Sequence, residues 1–334
     1  MSYINIDNLN VINVELTDYC NAACPMCARF KWDGSLYNEK VNKNHTTLEL
    51  IQDKIPLDVI KRLKKFYSLG TYGDPLMNPN TTKIYEYIRA NNPKCILEMH
   101  TNGGGRDEKF WRSLARAGVN VFFSIDGLED TNHLYRRNVN WDKLLFNVKA
   151  FIAEGGNAYW KYIIFLHNEH QIKEASNLSK ELGFKTFSAI YSDRWKEYNW
   201  ITGEILDIDK WPVENYFIEK PKNQENRYYN YKNSVVKVSP ESFNLSKKIE
   251  CKAASNENYE IYLRANGFVQ PCCMLGDINV HQSRFLIRNF DSVNLNKSSL
   301  EDILNGNYFK ELQNGIAGGK SRLKNCFYTC GVES

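Results

Sequence analysis

Three cysteines stand close together near the start of the chain, in the stretch Glu15-Leu16-Thr17-Asp18-Tyr19-Cys20-Asn21-Ala22-Ala23-Cys24-Pro25-Met26-Cys27. The residues from Val11 to Leu16 are rich in β-forming side chains and predict a strand that leads directly into this loop. A loop this short can wrap three thiolates around one cluster of four irons, which normally takes four ligands. One iron then keeps an open coordination site, and such a site lets a metal act on a small molecule.

A structural zinc loop is the alternative for these cysteines, with a fourth ligand from elsewhere such as His45. Zinc sites usually pair two CxxC knuckles and need no alternation of strands and helices behind them. The sequence after Cys27 has such an alternation, so the iron-sulfur interpretation is favoured.

From residue 11 to about residue 190, short β-rich runs alternate with helical patterns. Six runs predict strands: Val11 to Leu16, Lys65 to Leu69, Cys95 to His100, Val119 to Ile125, Trp160 to Leu166 and Lys185 to Ile190. Apolar residues at three and four spacing predict helices over Thr81 to Ala90, Glu108 to Ala117, Trp141 to Ala153 and Gln171 to Leu182. This order predicts an α/β fold, a partial TIM-like barrel of six βα units, with functional residues on the loops after the strands.

The bulk composition excludes several classes of protein. The 334 residues lack a signal peptide and any stretch near the roughly 18 apolar residues of a membrane span, so we expect a cytoplasmic protein with no membrane partner. The 43 basic and 39 acidic residues are scattered and leave a net charge of +4, which gives little support for nucleic acid as a partner. Nine cysteines in a reducing compartment favour metal or iron-sulfur centres over disulfides.

The cysteine spacing, the strand before it and Asn21 resemble the radical S-adenosylmethionine (SAM) superfamily. The resemblance implies a four-iron cluster held by Cys20, Cys24 and Cys27, whose open iron chelates SAM. It also implies that an electron from a low-potential donor such as flavodoxin or ferredoxin cleaves SAM to a 5'-deoxyadenosyl radical, which takes a hydrogen atom from a substrate. Met26 stands where the family usually has an aromatic residue, and its thioether can pack on adenine.

Further strings resemble the family's SAM-binding motifs. Gly70-Thr71-Tyr72-Gly73-Asp74-Pro75-Leu76 follows the second strand, where the family has a Gly-Gly-Glu-Pro-like motif for the amino group of SAM. The resemblance implies that Gly73 and Asp74 take this role, although Gly-Asp-Pro also makes a plain turn. Thr101-Asn102-Gly103 resembles the family's Thr-Asn-Gly and implicates Asn102.

Strand four ends in Ser124-Ile125-Asp126-Gly127, which resembles the family's Ser-x-Asp-Gly and implicates Ser124 and Asp126. Ser124 is placed to touch the ribose or the carboxylate of SAM. A downstream arginine can fork onto that carboxylate, and we favour Arg136 over Arg137, of which at least one is expected on the surface. Asn168, after strand five, is expected to reach the nucleoside.

The second group of cysteines lies in the last quarter of the chain. Cys251, fifteen residues, Gly267, four residues and Cys272 resemble the opening of the SPASM and twitch extensions of radical SAM enzymes. Cys326 and Cys330 complete four ligands for one closed auxiliary cluster, and the shorter twitch form fits better than a full SPASM domain with two clusters. Structural zinc is the alternative. Cys273 is left over and is a speculative hydrogen donor in catalysis.

The chain divides into a barrel over 9–195, a bridging segment over 196–248 and a small α+β auxiliary-cluster domain over 249–334, with a hairpin at Tyr259 to Cys272 and a helix near Leu300 to Leu312. We expect a peptide or protein substrate, bound in a groove lined by bridging aromatics: Trp195, Trp200, Trp211 and Tyr216. Oxidation of a small alcohol or amino sugar is the main alternative. A non-catalytic iron-sulfur or zinc protein is the other.

Overall fold

The structure is a computed structural model that describes residues 3–30, 43–192, 194–198, 205–207, 209–213, 216–222, 248–255, 257–275, 291–318, 323, 326 and 330–332. Within these residues, no helix is long and apolar enough to cross a membrane.

Six parallel strands, paired in chain order, form the centre of the molecule: β1 (Val11–Val14), β2 (Lys65–Ser68), β3 (Ile96–Thr101), β4 (Asn120–Ser124), β5 (Ala158–Ile164) and β6 (Thr186–Tyr191). The connections contain seven helices among the described residues: α1 (Leu48–Lys54), α2 (Leu57–Arg62), α3 (Thr81–Asn91), α4 (Glu108–Arg116), α5 (Asn132–Tyr135), α6 (Trp141–Ala153) and α7 (Ile172–Leu182). This is the predicted partial (β/α)6 barrel, and each strand lies within two residues of its predicted bounds.

Alternation along the strands separates the two faces of the sheet. In β5, Trp160 and Tyr162 are buried against the helical layer. Lys161 and Ile163 alternate with them and are half-buried on the opposite face. Trp160 packs on Phe184 beyond α7, with ring centroids 5.2 Å apart. The core therefore lies between sheet and helices, and the other face of the sheet is left for polar residues.

The bridging segment contains two antiparallel ribbons. The first pairs β7 (Lys196–Tyr198) with β8 (Ile205–Asp207), and the second pairs β9 (Lys210–Val213) with β10 (Tyr216–Glu219). The second ribbon is tied to the end of β5, because the N–H of Leu166 donates to the carbonyl of Glu219 at 3.0 Å. Local pairing thus gives this segment regular structure that its composition did not predict.

The C-terminal part begins with the strands β11 (Lys248–Ile249), β12 (Ala254–Ser255), β13 (Asn258–Leu263) and β14 (Val269–Gln270). Strands β13 and β14 form the predicted hairpin, with Gly267 in the left-handed region at φ 89°. Strand β13 also pairs in parallel with β1, in the register Val11 with Glu260 and Val14 with Leu263. The C-terminal part therefore extends the barrel sheet at its first edge.

The helix predicted near Leu300 to Leu312 is two helices, α8 (Leu300–Asn305) and α9 (Asn307–Ile316). Gly306 between them is extended, with φ −73° and ψ 168°, and ends α8 while it begins α9. The last strand, β15 (Gly331–Val332), pairs with β11 and brings the chain end back to the start of this part.

Candidate active site

The three cysteines of the first group lie on the loop after β1, at the carboxyl edge of the barrel sheet. Cys20, Cys24 and Cys27 are free thiols that line one cavity of about 350 Å³. The loop turns tightly, because the N–H of Cys27 donates to the carbonyl of Cys24 at 3.1 Å. Three soft donors on one cavity wall fit a cluster that takes its remaining ligand from the cavity.

Several hydrogen-bond donors point at these sulfur atoms. The N–H of Ala22 lies 3.3 Å from Sγ of Cys20, and Nδ2 of Asn102 lies 3.8 Å from the same sulfur. Nη1 of Arg136 donates to Sγ of Cys24 at 3.6 Å. Burial raises the pKa of Cys24 to about 11 although Arg136 lowers it, so a thiolate here needs a cationic partner such as iron. The donor set therefore fits metal-bound thiolates.

Arg136 is held in the cavity wall by Asp126, a fully buried carboxylate. Nε of Arg136 donates to Oδ2 of Asp126 at 2.6 Å, and the other oxygen accepts from the N–H of Ile163 at 2.6 Å. Both oxygens of Asp126 are thus engaged within the protein, and Asp126 does not line the cavity. Asp126 therefore supports Arg136, and a direct contact of Asp126 with SAM stays a prediction.

The loop after β2 packs directly on the cysteine loop. A Cβ at Gly73 would lie 2.1 Å from the carbonyl oxygen of Thr17, so only glycine allows this approach. The N–H of Asp74 donates to the carbonyl of Tyr19 at 2.6 Å. Gly73 and Asp74 both line the cavity, as does Ser124 at the end of β4.

The carboxylate of Asp74 connects two loops. It accepts from Oγ1 of Thr101 and from the N–H of Asn102, each at 2.7 Å. The side chain of Asn102 in turn pairs with Asn21, with Nδ2 2.8 Å from its Oδ1. The three predicted loops after β1, β2 and β3 are therefore joined into one wall of the cavity.

A buried carboxylate that the sequence analysis missed lies beneath this wall. Glu15, 2% exposed, accepts from the backbone N–H groups of Thr71, Tyr72 and Gly73 at 3.0, 3.1 and 3.1 Å. Its fourth partner is the hydroxyl of Tyr262, at 2.7 Å. Burial raises the pKa of Glu15 to about 7, while these four hydrogen bonds lower it.

Two residues predicted to contact SAM, Met26 and Asn168, lie outside the described lining of the cavity. Met26 is 1% exposed, belongs to the core and is absent from the described lining of the cavity. Asn168 is fully buried and its side chain bonds to backbone groups. It donates to the carbonyls of Asp126 and Ile163 and accepts from the N–H of Phe165. Asn168 therefore shapes the end of β5, and its contact with a nucleoside stays a prediction.

His45, the fourth ligand of the alternative zinc site, also lies outside the cysteine-lined cavity. His45 stacks on Tyr19 at 5.1 Å between ring centroids and is not among the described residues that line the cavity.

The structure describes the side chains of two of the four aromatic residues predicted to line a substrate groove, Trp195 and Trp211. Trp195 is 4% exposed and packs edge-on against Phe165, and Trp211 is half-buried against the core. Trp200 and the side chain of Tyr216 lie outside the described residues.

The second cysteine group surrounds a smaller cavity of about 180 Å³, which the C-terminal cysteines line together with Tyr3 and Glu260: Cys251, Cys272, Cys273, Cys326 and Cys330. Burial, and then the charges of Cys251 and Cys330, raise the pKa of Cys326 to about 12. Among the described residues, no three His, Cys, Asp or Glu side chains are grouped for a single metal ion.

Cys273 has a different electrostatic environment from these neighbours. Burial raises its pKa to about 11, and the charges that raise it further belong to Glu260 and Glu15, not to Cys251, Cys326 or Cys330. Its thiol is therefore distinguished from the other four by Glu260 of β13 and Glu15 of the barrel.

Comparison with protein families identifies the chain. The model of the Radical SAM superfamily matches residues 14–186, which run from the last residue of β1 to the first residue of β6 and contain the first cysteine group. The chain belongs to the radical SAM superfamily. A second model, SPASM, described as an iron-sulfur cluster-binding domain, matches residues 251–331 of this radical SAM chain. Its cofactors are thus SAM and iron-sulfur clusters, and both cysteine groups fall within matched regions.

The similarity to known proteins covers nearly the whole radical SAM chain. A GTP 3',8-cyclase from Trichodesmium erythraeum (strain IMS101) is 23% identical over 343 residues, which cover 95% of this chain and 98% of that protein. Among solved structures, SuiB of Streptococcus suis has a TM-score of 0.60 at 15% identity, covering 96% of this chain and 72% of that one. The structure of anSMEcpe with bound AdoMet and Cp18Cys peptide has a TM-score of 0.56 at 15% identity, covering 97% and 88%. The structural likeness establishes a shared fold.

Proposed function

We propose that this radical SAM enzyme modifies a peptide or protein, with SAM bound in the larger cavity and the substrate between the two cavities. The observation that carries the proposal is that two cysteine-lined cavities belong to one sheet. The first lies at the carboxyl ends of β1 to β6, and the second borders β13, which pairs with β1. When bound, the cofactors supply reductive cleavage of SAM and a radical that abstracts hydrogen.

In the proposed SAM site, Cys20, Cys24 and Cys27 hold the cluster. Arg136 lines the cavity with its Nε fixed by Asp126, and it presents its guanidinium to the carboxylate of SAM. Ser124 lines the same wall and faces the carboxylate or the ribose.

The proposed contacts to the amino group of SAM come from the loop after β2. Gly73 and Asp74 line the cavity, and the backbone N–H groups of Thr71, Tyr72 and Gly73 are occupied by Glu15 on the far side. Carbonyl oxygens of this loop remain as acceptors for an ammonium group. Asn102 holds the cysteine loop through Asn21 and Cys20.

We assign the auxiliary cluster to Cys251, Cys272, Cys326 and Cys330, four thiolates around the smaller cavity. Four thiolates would close this cluster and leave no iron for substrate, and the cluster would supply electron transfer. Cys273 is left as a thiol beside Glu260, in a position to face substrate. A low-potential donor such as flavodoxin or ferredoxin is the proposed electron source.

A row of polar residues on the open face of the sheet supports a substrate site between the cavities. His100 lines the larger cavity and Glu260 lines the smaller one. Between them, Lys65 pairs with Glu98 at 2.6 Å, and the hydroxyl of Tyr67 donates to Glu260 at 2.9 Å. Such a surface offers both signs of charge to the polar backbone and side chains of a peptide.

Two solved structures of the same fold carry peptides in their names: SuiB bound to precursor peptide SuiA, with a TM-score of 0.56 at 14% identity over 96% of this chain and 69% of that one, and anSMEcpe with Cp18Cys peptide. The second candidate function is reaction of a small molecule, such as dehydrogenation of an alcohol or amino sugar. The full-length relation to a GTP 3',8-cyclase favours small-molecule chemistry in general.

Deuterium transfer separates the two candidates. A perdeuterated cell extract is divided into a peptide and protein fraction and a small-metabolite fraction, and each is incubated anaerobically with reduced enzyme and SAM. The proposal expects deuterium in 5'-deoxyadenosine from the peptide fraction only. Transfer from the metabolite fraction only would contradict it and establish the second candidate.

A further inference from the structure

Glu15 is a buried carboxylate, 2% exposed, that the proposed chemistry leaves without a task, and it directly follows β1, the strand that leads to the first cysteine group. Its Oε1 accepts from the N–H groups of Tyr72 and Gly73, and its Oε2 accepts from the N–H of Thr71 and the hydroxyl of Tyr262. Each oxygen of Glu15 therefore has two hydrogen-bond donors facing it.

Three of the four donors are successive backbone N–H groups of one loop. A side chain that engages successive amides fixes the conformation of the backbone whatever side chains the loop carries. The opposite side of this loop contains Gly73 and Asp74 and lines the larger cavity. Glu15 therefore sets the shape of the cavity wall from outside the cavity.

The fourth donor belongs to the C-terminal part of the chain. Tyr262 is fully buried in β13, next to Leu263, whose carbonyl accepts from the N–H of Glu15 at 2.7 Å. Arg264, one residue further, places its guanidinium 5.2 Å from the ring centroid of Tyr72. The same strand continues through the hairpin to Cys272, so the auxiliary-cluster region reaches the loop after β2 directly through Arg264 and indirectly through Glu15.

We infer that Glu15 and Tyr262 are positioning residues that make SAM affinity depend on the seating of the C-terminal region against the barrel. This inference rests on the proposed SAM site in the larger cavity. With Tyr262 in place, the carboxylate is oriented with both oxygens toward the loop amides. Without the hydroxyl, the side chain of Glu15 keeps its three backbone partners but loses its fixed direction, and the loop carbonyls proposed to face SAM shift with it.

The test measures formation of 5'-deoxyadenosine against SAM concentration in anaerobically reconstituted protein. Tyr262→Phe removes one hydroxyl and keeps the packing, and Glu15→Gln replaces one acceptor oxygen by a donor that opposes an N–H group. Each variant should raise KM for SAM about tenfold, the value of one charge-assisted hydrogen bond, and leave kcat within about twofold. Iron content should match the parent. Tyr85→Phe is the matched control, because its buried hydroxyl donates to the carbonyl of Glu98 at 2.7 Å, away from the SAM loop.

Unchanged KM in both Tyr262→Phe and Glu15→Gln would overturn the inference. Loss of iron in both variants would also overturn it, since the pair would then serve folding alone; if only Glu15→Gln loses iron, the milder Tyr262→Phe decides. Failure of the proposed function looks different, because the parent protein itself would then form no 5'-deoxyadenosine.

Discussion

Nε of Arg136 donates to Oδ2 of Asp126 at 2.6 Å, and Asp126 is fully buried. The same guanidinium reaches Sγ of Cys24 with Nη1, at 3.6 Å. Asp126 thus fixes the guanidinium of Arg136 where it contacts the cysteine loop and lines the larger cavity. The ion pair therefore joins the Ser-x-Asp-Gly string to the downstream arginine.

Arg136→Ala should weaken SAM binding by about 1.5 to 3 kcal/mol, because a charge-assisted contact to the carboxylate of SAM is lost. It should also lower the melting temperature, since the buried carboxylate of Asp126 loses its partner. Equilibrium dialysis and thermal unfolding measure the two effects. Arg137→Ala is the control, because Arg137 contributes its backbone carbonyl, which accepts from the N–H of Ala23. Equal SAM affinity in the parent and Arg136→Ala would remove the proposed role.

Gly73→Ala should disrupt the site by steric conflict. The new Cβ would lie 2.1 Å from the carbonyl oxygen of Thr17 and 2.6 Å from that of Tyr19, so the two loops must separate. We expect SAM affinity to fall by about tenfold or more, as for loss of a preorganised contact. Gly155→Ala is the control: its φ is +85°, but no atom lies within 4 Å of the added carbon. Equal affinity in the two variants would show that the contact of the loops is unimportant.

Glu15 should give a pH-dependent contribution to stability. Burial raises its pKa from 4.5 to about 7, so between these values the folded protein holds a proton that the unfolded chain has lost. The contribution is present at low pH and is lost as pH rises through about 7. The melting temperature of the parent relative to Glu15→Gln, which does not titrate there, should therefore fall from about pH 5 to about pH 8. A difference that grows with pH would contradict this sign.

The assignment of the C-terminal cysteines predicts the iron content. Anaerobically reconstituted protein should carry about eight irons per chain, from two clusters, and replacing Cys272 and Cys330 together should leave about four. The double variant should still cleave some SAM but lose substrate turnover. Cys273→Ala is the matched control and should keep both clusters. Roughly twelve irons in the parent would indicate a second auxiliary cluster. Loss of iron in Cys273→Ala alone would move the ligand by one residue.

The strands and the cavity position were predictable because their signals are local. Alternating burial, as in β5, follows from alternation in the sequence, and residues after parallel strands meet at one edge of the sheet. The direction of individual side chains was less predictable. Met26 turns into the core and Asn168 bonds to nearby backbone, and neither choice leaves a sequence signal.

Contacts between distant parts of the chain were missed. Glu15 meets Thr71 across 56 residues and Tyr262 across 247, and backbone N–H groups have no sequence signature. The pairing of β13 with β1 is equally non-local. A glutamate at the end of an apolar strand was the one available signal, because a buried charge requires partners.

The central claim is that the first cysteine group supports reductive cleavage of SAM. Cys24 lies in that group, is buried and accepts from Arg136. The decisive measurement is 5'-deoxyadenosine formed by Cys24→Ala under reducing, anaerobic conditions, beside the parent and with iron counted in both. The account predicts no 5'-deoxyadenosine and about four irons retained in the C-terminal cluster. Formation of 5'-deoxyadenosine at the parent rate would contradict it.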